Sequence, residues 1–360
     1  MKINLVMIVK NEGRSLERCL RSAEGLVDEM ILVDTGSSDT TVEIARKMGA
    51  KVFSFAWVDD FSAARNFALE KSDADWNLIL DGDEYLKGAD RDKLETIIRE
   101  KDGMWLGCIT RYDLFRDDEG TSTSTAVLPR LLPKGVGYEG IIHEQPAGDY
   151  PWYKTGLEAD HDGYLYQDKG ERNLPYLKKA VKEHPGDGYY LFQMAYTLRN
   201  LKRYKESLPY FRKFYRLSGR KEGYRASGVV LYLYTLLDLD AGEYLDEAAL
   251  VIEREEPVLG NWSDFCFVCG LFYMKRVLSD VGQYINLLPE IEKSYLKCLK
   301  LGEQPELGGV VGTGSFRASY NLGAWYEVSG QMDKALHCYQ NAAREGYGPA
   351  VNRLKQRWQV

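Results

Sequence analysis

No stretch of these 360 residues approaches the roughly 20 consecutive apolar residues that a helix needs to cross a bilayer. The opening MKINLVMIVKNE has only a short apolar core and meets charge at once. It lacks the length and cleavage site of a secretory signal, so the chain reads as cytoplasmic. An excess of basic charge is also missing: the formal net charge is -7, which argues against nucleic acid or an anionic membrane as the main partner. Six cysteines follow no framework pattern, and the one close pair, Cys266 and Cys269, lies in the apolar run FCFVCGLFY. No second pair completes a four-ligand zinc site, so these thiols are expected to pack among aromatic side chains. Histidine is scarce, with four in the chain, so each is worth placing.

What is present falls into two halves of different period, and the length suits two cores better than one. Strands are expected at Ile3 to Val9, Met30 to Val33, Lys51 to Phe55 and Trp76 to Leu80, alternating with helices at Arg14 to Ala23, Thr40 to Met48 and Ser62 to Lys71. That alternation implies a mostly parallel sheet covered on both faces. Ligands of such sheets sit beyond the carboxyl ends of the strands. Those ends carry Lys10-Asn11-Glu12, Asp34-Thr35-Gly36-Ser37-Ser38-Asp39 and Asp81-Gly82-Asp83-Glu84, so acids and small polar residues converge on one sheet edge. From Met104 to about Tyr164 the pattern is less regular, with candidate strands at Leu106 to Arg111, Thr125 to Leu132 and Tyr138 to Ile142. From Lys169 onward it is helical, which sets the expected domains at 1–168 and 169–360.

The helical half repeats. Phe192 to Tyr215 reads FQMAYTLRNLKRYKESLPYFRKFY and Tyr320 to Arg344 reads YNLGAWYEVSGQMDKALHCYQNAAR. Ala195 aligns with Gly323, Leu198 with Tyr326, Ser207 with Ala335, Phe211 with Tyr339 and Phe214 with Ala342. Small residues let paired helices approach while large ones fill between them, a pattern that resembles tetratricopeptide repeats. Further pairs around Arg225 to Glu253 and Phe265 to Lys300 fit less well and carry insertions. Repeats of this kind offer a surface to a peptide or protein, and many of the 25 tyrosines fall in this half. The alternative is a scaffold that buttresses the first domain or pairs one chain with another.

Asp81-Gly82-Asp83 is the sharpest local feature. Two carboxylates one residue apart, after a buried strand, can divide between a ribose and a divalent cation bridging two phosphates. Asp34 can accept a hydrogen bond from a nucleobase, whereas Asp39 is placed to cap the next helix. Ser62 is a candidate cap for the helix carrying Arg65, which either faces a nucleotide or makes a structural ion pair. His143, in Gly140-Ile141-Ile142-His143-Glu144-Gln145, and His161, in Ala159-Asp160-His161-Asp162-Gly163-Tyr164, lie near loops beside acids, and either can join Asp83 in a hard-cation site.

The signals MIVKNE, ILVDTGSSDTT, WVDDFSAARNFAL, WNLILDGDE, YEGIIHEQ and HDGY, in that order, resemble family 2 glycosyltransferases. The fold so implied is α/β: a GT-A (Rossmann-like) nucleotide-sugar domain followed by an all-α tetratricopeptide-like solenoid. The branch that carries such repeats is similar to bacterial lipooligosaccharide glucosyltransferases and to peptide S-glycosyltransferases. The resemblance implies that Asp34 contacts uracil, Arg65 helps hold the base, and Asp81 lies near ribose or donor sugar. Asp83 would bind Mn²⁺ or Mg²⁺ with the diphosphate of a UDP-sugar, and His161 would be the histidine close to that metal. Asn11 and Glu12 match the family's first nucleotide-side loop. The implied reaction is inverting transfer of glucose or an N-acetylhexosamine, with a carboxylate as base: Glu144 first, Glu139 and Asp162 as alternatives. The acceptor is either a peptide or protein side chain (Ser, Thr or Cys) presented by the repeats, or a lipooligosaccharide or other glycan. A catalytically silent adaptor is the remaining reading, and intact Asp34, Asp81 and Asp83 weigh against it.

Overall fold

A computed structural model describes residues 1–117, 120–166, 170–220, 222–239 and 241–358. It divides into two compact units, 1–115 with 125–176, and 116–124 with 177–360. The domain boundary expected at 168/169 lies outside the described residues.

The first unit is built on β1 (Ile3–Val9), whose residues are nearly all buried because the strand is covered on both faces. Leu5 and Met7 point into one apolar layer, with Leu16 and Leu20 of α1 (Leu16–Ala23). Val6 points into the other, with Ile31, Val33 and Ala68. β2 (Glu29–Asp34), α2 (Thr41–Lys47), β3 (Lys51–Ser54), α3 (Phe61–Glu70) and β4 (Trp76–Ile79) follow, within a residue or two of the periodicity-based expectations. They are succeeded by β5 (Glu84–Lys87), α4 (Arg91–Arg99), β6 (Leu106–Asp117), β7 (Gly120–Pro133), β8 (Tyr138–Glu139), β9 (Gln145–Pro146), β10 (Trp152–His161) and α5 (Gly163–Tyr166).

The main sheet runs β3-β2-β1-β4-β7-β6-β10-β5. From β3 to β4 it is parallel, but β7 joins β4 antiparallel and β5 joins β10 antiparallel. The sheet is therefore mixed, which corrects the expectation of a mostly parallel one. Strand order leaves β1 towards β2 and β3 on one side and towards β4 on the other, so the carboxyl ends of β1 and β4 flank a topological switch point.

Residues 104–164, where the sequence pattern is less regular, contain three long strands. β6 and β7 extend past their expected ends, whereas Tyr138 to Ile142 shrinks to the two residues of β8. Gly140 and His143 adopt positive φ (98° and 51°), which a strand cannot accommodate, so Glu144 does not directly follow a strand. β10 had no strand signature because its inward positions are Thr155, Leu157, Ala159 and His161, of which Leu157 alone is strongly apolar. The cap of α3 is Asp60, whose carboxylate accepts from the Ala63 N–H at 3.0 Å; Ser62 lies inside the first turn and donates to Asp60 instead. The N-cap position of α2 is Thr40, which makes no side-chain cap bond; Asp39, one residue earlier, accepts from the Thr41 and Gly13 N–H groups and so serves the first N–H of the helix.

α6 (Gly170–Glu183) has residues in both units. The second unit continues through α7 (Gly188–Asn200), α8 (Tyr204–Leu217), α9 (Arg225–Leu239), α10 (Gly242–Leu259), α11 (Ser263–Ser279), α12 (Val281–Tyr284), α13 (Leu288–Leu301), β11 (Gly309–Val310), α14 (Phe316–Val328), α15 (Met332–Arg344) and α16 (Gly348–Trp358). The pairs α7–α8 and α14–α15 are the two segments aligned from sequence. Of the matched positions, Ala195, Leu198, Ser207, Phe211 and Phe214 are buried in one pair, as are Gly323, Tyr326, Ala335, Tyr339 and Ala342 in the other. A Cβ at Gly323 would stand 3.0 Å from the Tyr339 ring, so a small residue is needed for these helices to approach. All six cysteines are buried and free. Among the described residues no helix is long and apolar enough to cross a membrane.

Asp264, in the first turn of α11, is buried and accepts from the Val310 N–H at 3.3 Å. Burial pushes its carboxyl up to about 7, with Glu303 adding to the shift and Arg317 opposing it. The folded protein thus holds this proton more tightly than the unfolded chain, whose Asp titrates near ~4, and the group's contribution to stability declines as pH rises from about 4 through about 7. Asp264→Asn is expected to be more stable than the parent at about pH 8, on the order of 2 kcal/mol, and to lose that advantage near pH 5. Urea denaturation at both pH values checks it; a variant equally destabilised at both would mean the ionised carboxylate is needed.

Candidate active site

The carboxyl ends of β1, β2 and β4 bring the expected residues to one edge. Asn11, at φ 57°, donates its N–H to Ser37 Oγ (2.9 Å), and its side-chain oxygen accepts from the Ser38 N–H (2.8 Å). Asp34 accepts from the Gly36 and Ser37 N–H groups at 3.2 and 3.1 Å, which closes the turn after β2. Glu12 donates its N–H to Thr41 Oγ1 (2.7 Å), and its carboxylate accepts from Ser15 Oγ (2.9 Å). Its side chain lies over Gly82, where any Cβ would come 2.7 Å from Glu12 Cγ. The glycine between the two aspartates is thus required by close packing, and these contacts join the first and second loops to the third.

Asp81 sits between two buried guanidiniums. Arg65 Nη2 donates to Oδ1 at 2.5 Å and Arg130 Nη2 to Oδ2 at 2.7 Å. Arg65 also donates Nε to Glu144 Oε1 at 3.0 Å, so this one arginine of α3 holds two of the expected site carboxylates. Behind them Glu84, with no solvent exposure, accepts from Arg130 Nη2 (2.6 Å), Arg111 Nη1 (2.9 Å) and the Asp81 N–H (3.0 Å). All three arginines are driven above their usual range. Burial works against their charge, and the neighbouring carboxylates outweigh it.

Asp83 is buried beside His161, Oδ2 to Nε2 3.4 Å. The other ring nitrogen, Nδ1, lies 2.7 Å from Asp113 Oδ1. Burial pulls the imidazolium down, but the carboxylates of Asp113 and Asp83 raise it to about 9. Gly163 follows two residues on. A Cβ there would clash outright with Asp83 Oδ2 and stand 2.7 Å from His161 Nε2, so only glycine lets these two groups pack against the chain at this point. A carboxylate oxygen and an imidazole nitrogen side by side are donor types that suit a divalent cation. Among the described residues no group of three or more His, Cys, Asp or Glu could hold a metal, so most of the coordination sphere would fall to phosphate oxygens and water.

His143 is placed differently. Burial, with Arg172 adding to it, pulls its imidazole down to about 4, and its carbonyl accepts from Gln145 Nε2. Of the alternative base candidates, Glu139 is exposed on β8, and Asp162 is engaged by Arg14 (2.7 Å) and Tyr85 (3.1 Å). Sequence reasoning missed Arg111, Asp113 and Arg130. The signals for them were a lone charge in the apolar run AVLPRLLP and two charges two apart, hence on one face of a strand.

The glycosyl transferase family 2 profile matches residues 5–142. Over 293 residues, 78% of this chain and 69% of the other, the sequence is 24% identical to the SPbeta prophage-derived glycosyltransferase SunS of Bacillus subtilis. A stretch of 85 residues is 51% identical to a TPR repeat-containing protein of Synechococcus elongatus; it spans 24% of this chain and only 21% of that protein's length. Among solved structures, a thermophilic TPR protein of Thermus thermophilus aligns with a TM-score of 0.37 at 20% identity, covering 53% of this chain and 89% of that one.

Because Glu84 is the shared counter-charge of Arg111 and Arg130, Glu84→Gln is expected to destabilise the protein by roughly 3–5 kcal/mol. Chemical denaturation at neutral pH measures this. A loss under about 1 kcal/mol would show that the two arginines find other partners.

Proposed function

We propose that this chain, which carries a family 2 sugar-transfer domain ahead of a tetratricopeptide-like helical region, is an inverting, metal-dependent glycosyltransferase. It would move a sugar, glucose or an N-acetylhexosamine, from a UDP-sugar to a peptide or protein side chain. The observation that carries this reading is the convergence of Asp81, Asp83, His161 and Arg65 at the switch point of a sheet within the matched family region and the strand beyond it.

In this reading Asp34 receives the uracil N–H. Its two oxygens have lone pairs to spare beyond the two turn amides they already accept. Asn11 and Glu12 shape the adjoining wall through their bonds to the second loop and to α2. Asp81, the more exposed of the two aspartates, meets the ribose or donor sugar, and Arg65 and Arg130 fix its orientation. Asp83 and His161 would hold Mn²⁺ or Mg²⁺. When bound, that ion offsets the charge developing on the departing diphosphate.

Glu144 is the proposed base. Arg65 holds its Oε1, which leaves the second oxygen to take the acceptor's proton. Among the side chains proposed as acceptors, a cysteine thiol gives up its proton more easily than a serine or threonine hydroxyl.

The second unit is assigned the acceptor. It contains a groove of about 540 Å³ lined by Phe272, Tyr273 and Tyr284 together with Glu253, Glu256 and Arg276. Aromatic rings with polar tips beside mixed charge can seat an extended peptide.

UDP is expected to bind more tightly with Mn²⁺ or Mg²⁺ than with chelator, by calorimetry; equal affinity in both would remove the metal bridge. Asp83→Ala should abolish most transfer at unchanged circular dichroism, whereas Glu144→Gln should keep donor binding and slow single-turnover transfer about 100-fold. Unchanged single-turnover rates would move the base role elsewhere.

Intact-mass screening of several UDP-sugars against peptide and oligosaccharide pools tests the acceptor class, and modification of oligosaccharides alone would replace the peptide reading. With a peptide acceptor in hand, Tyr273→Ala and Tyr284→Ala should raise its KM by about tenfold and leave UDP-sugar hydrolysis unchanged.

A further inference from the structure

Asp113 belongs to none of the motifs that mark the sugar-transfer domain, yet it touches the histidine beside Asp83. It lies near the end of β6, and the parallel register of β6 with β10 sets it directly opposite His161. Its Oδ1 is 2.7 Å from His161 Nδ1. The carboxylate is itself held by Arg111, Nε to Oδ1 at 2.7 Å and Nη2 to Oδ2 at 3.2 Å, and Arg111 is anchored in turn on fully buried Glu84. Tyr164 closes the imidazole's flank with an edge contact, ring centres 4.8 Å apart. Every group that could let the ring turn is therefore fixed, and the fixing starts from a β-ladder rather than a loop.

The consequence lies at the other nitrogen. A carboxylate on Nδ1 selects the tautomer that carries its proton there and leaves the Nε2 lone pair free. Nε2 faces Asp83 Oδ2 at 3.4 Å, and both atoms lie against Gly163, where any side chain would displace them. We propose that Asp113 is a positioning residue for the divalent cation: it orients His161 and sets its tautomer so that Nε2, with Asp83, faces the metal. This rests on the metal-dependent reading above. It extends that reading from two ligands to a carboxylate–histidine pair built into the β6–β10 ladder.

Mn²⁺ affinity in the presence of saturating UDP, read from the electron paramagnetic resonance of free Mn²⁺, gives a readout independent of turnover. Asp113→Asn is expected to weaken Mn²⁺ binding by about 10- to 100-fold. UDP binding in chelator should stay unchanged. The same substitution made in a His161→Gln background should have little further effect, because Asp113 acts through that ring. A merely structural aspartate would shift Mn²⁺ affinity by the same factor in both backgrounds, and that result overturns the proposal. So does an Asp113→Asn variant that binds Mn²⁺ as the parent does. If Asp113→Asn melts below the assay temperature, Asp113→Glu carries the same comparison, since it keeps the charge and displaces the carboxylate. A parent protein that binds no Mn²⁺ with UDP present removes the metal reading and this inference together. Parental binding with no effect of Asp113 removes the inference alone.

Discussion

A carboxylate with no access to water has to be neutralised by groups equally buried, and in this protein that carboxylate is Glu84. Taking one such charge out of water costs several kcal/mol after relaxation, and the cost is offset only by close, well-directed partners. Glu84 finds them in Arg111 and Arg130, from β6 and β7. Those arginines bring the same requirement with them, which Asp113 and Asp81 meet. The chain of charges therefore grows outward from one buried point until it reaches groups at the edge: Asp81, with about a third of its side chain exposed, and the Asp83–His161 pair. With Arg65 and Glu144 included, the carboxylates are met by three arginines and by the His161 imidazole, which burial lowers and its two carboxylate neighbours raise.

This arrangement changes what each expected residue can do. Arg65 was read as facing a nucleotide or making a structural ion pair. It makes two ion pairs, to Asp81 and Glu144, and both partners are themselves candidate site residues. The structural reading is the one the contacts bear out, and the same contacts orient both carboxylates. Both oxygens of Asp81 are taken up by guanidiniums, Arg65 on one and Arg130 on the other, so the position of its carboxylate is set by the fold.

The sequence made the parallel half of the sheet legible because β1, β2 and β4 are largely buried and read as short apolar runs, broken by one asparagine each in β1 (Asn4) and β4 (Asn77). The acids after them stood out for the same reason, as abrupt polarity at the end of a buried strand. The repeat was legible through volume: each aligned large residue fills space that an aligned small one yields, and all ten positions are buried. β10 was not legible, because Thr155 and Ala159 occupy inward positions where periodicity looks for large apolar side chains. Nor was Asp113, since its partner is 48 residues away and only strand register unites them. The cap of α3 was misplaced by two residues, as Asp60 and Ser62 both have the capping chemistry and only the backbone distinguishes them.

The two loop histidines show how far residue type falls short of chemistry. In the sequence, His143 and His161 each sit beside acids and glycines, and nothing local separates them. In the folded chain each is enclosed, and enclosure alone would drive both towards the neutral form. At His143 the like charge of Arg172 pushes the same way, and the imidazole falls to about 4. At His161 the β6–β10 ladder supplies Asp113 on one nitrogen, β4 leads to Asp83 on the other, and the ring rises to about 9. Near neutral pH one ring is therefore uncharged and the other a cation between two carboxylates. A divalent ion proposed for the place between Asp83 and His161 would have to displace the proton on the facing nitrogen, because proton and metal compete for the same lone pair.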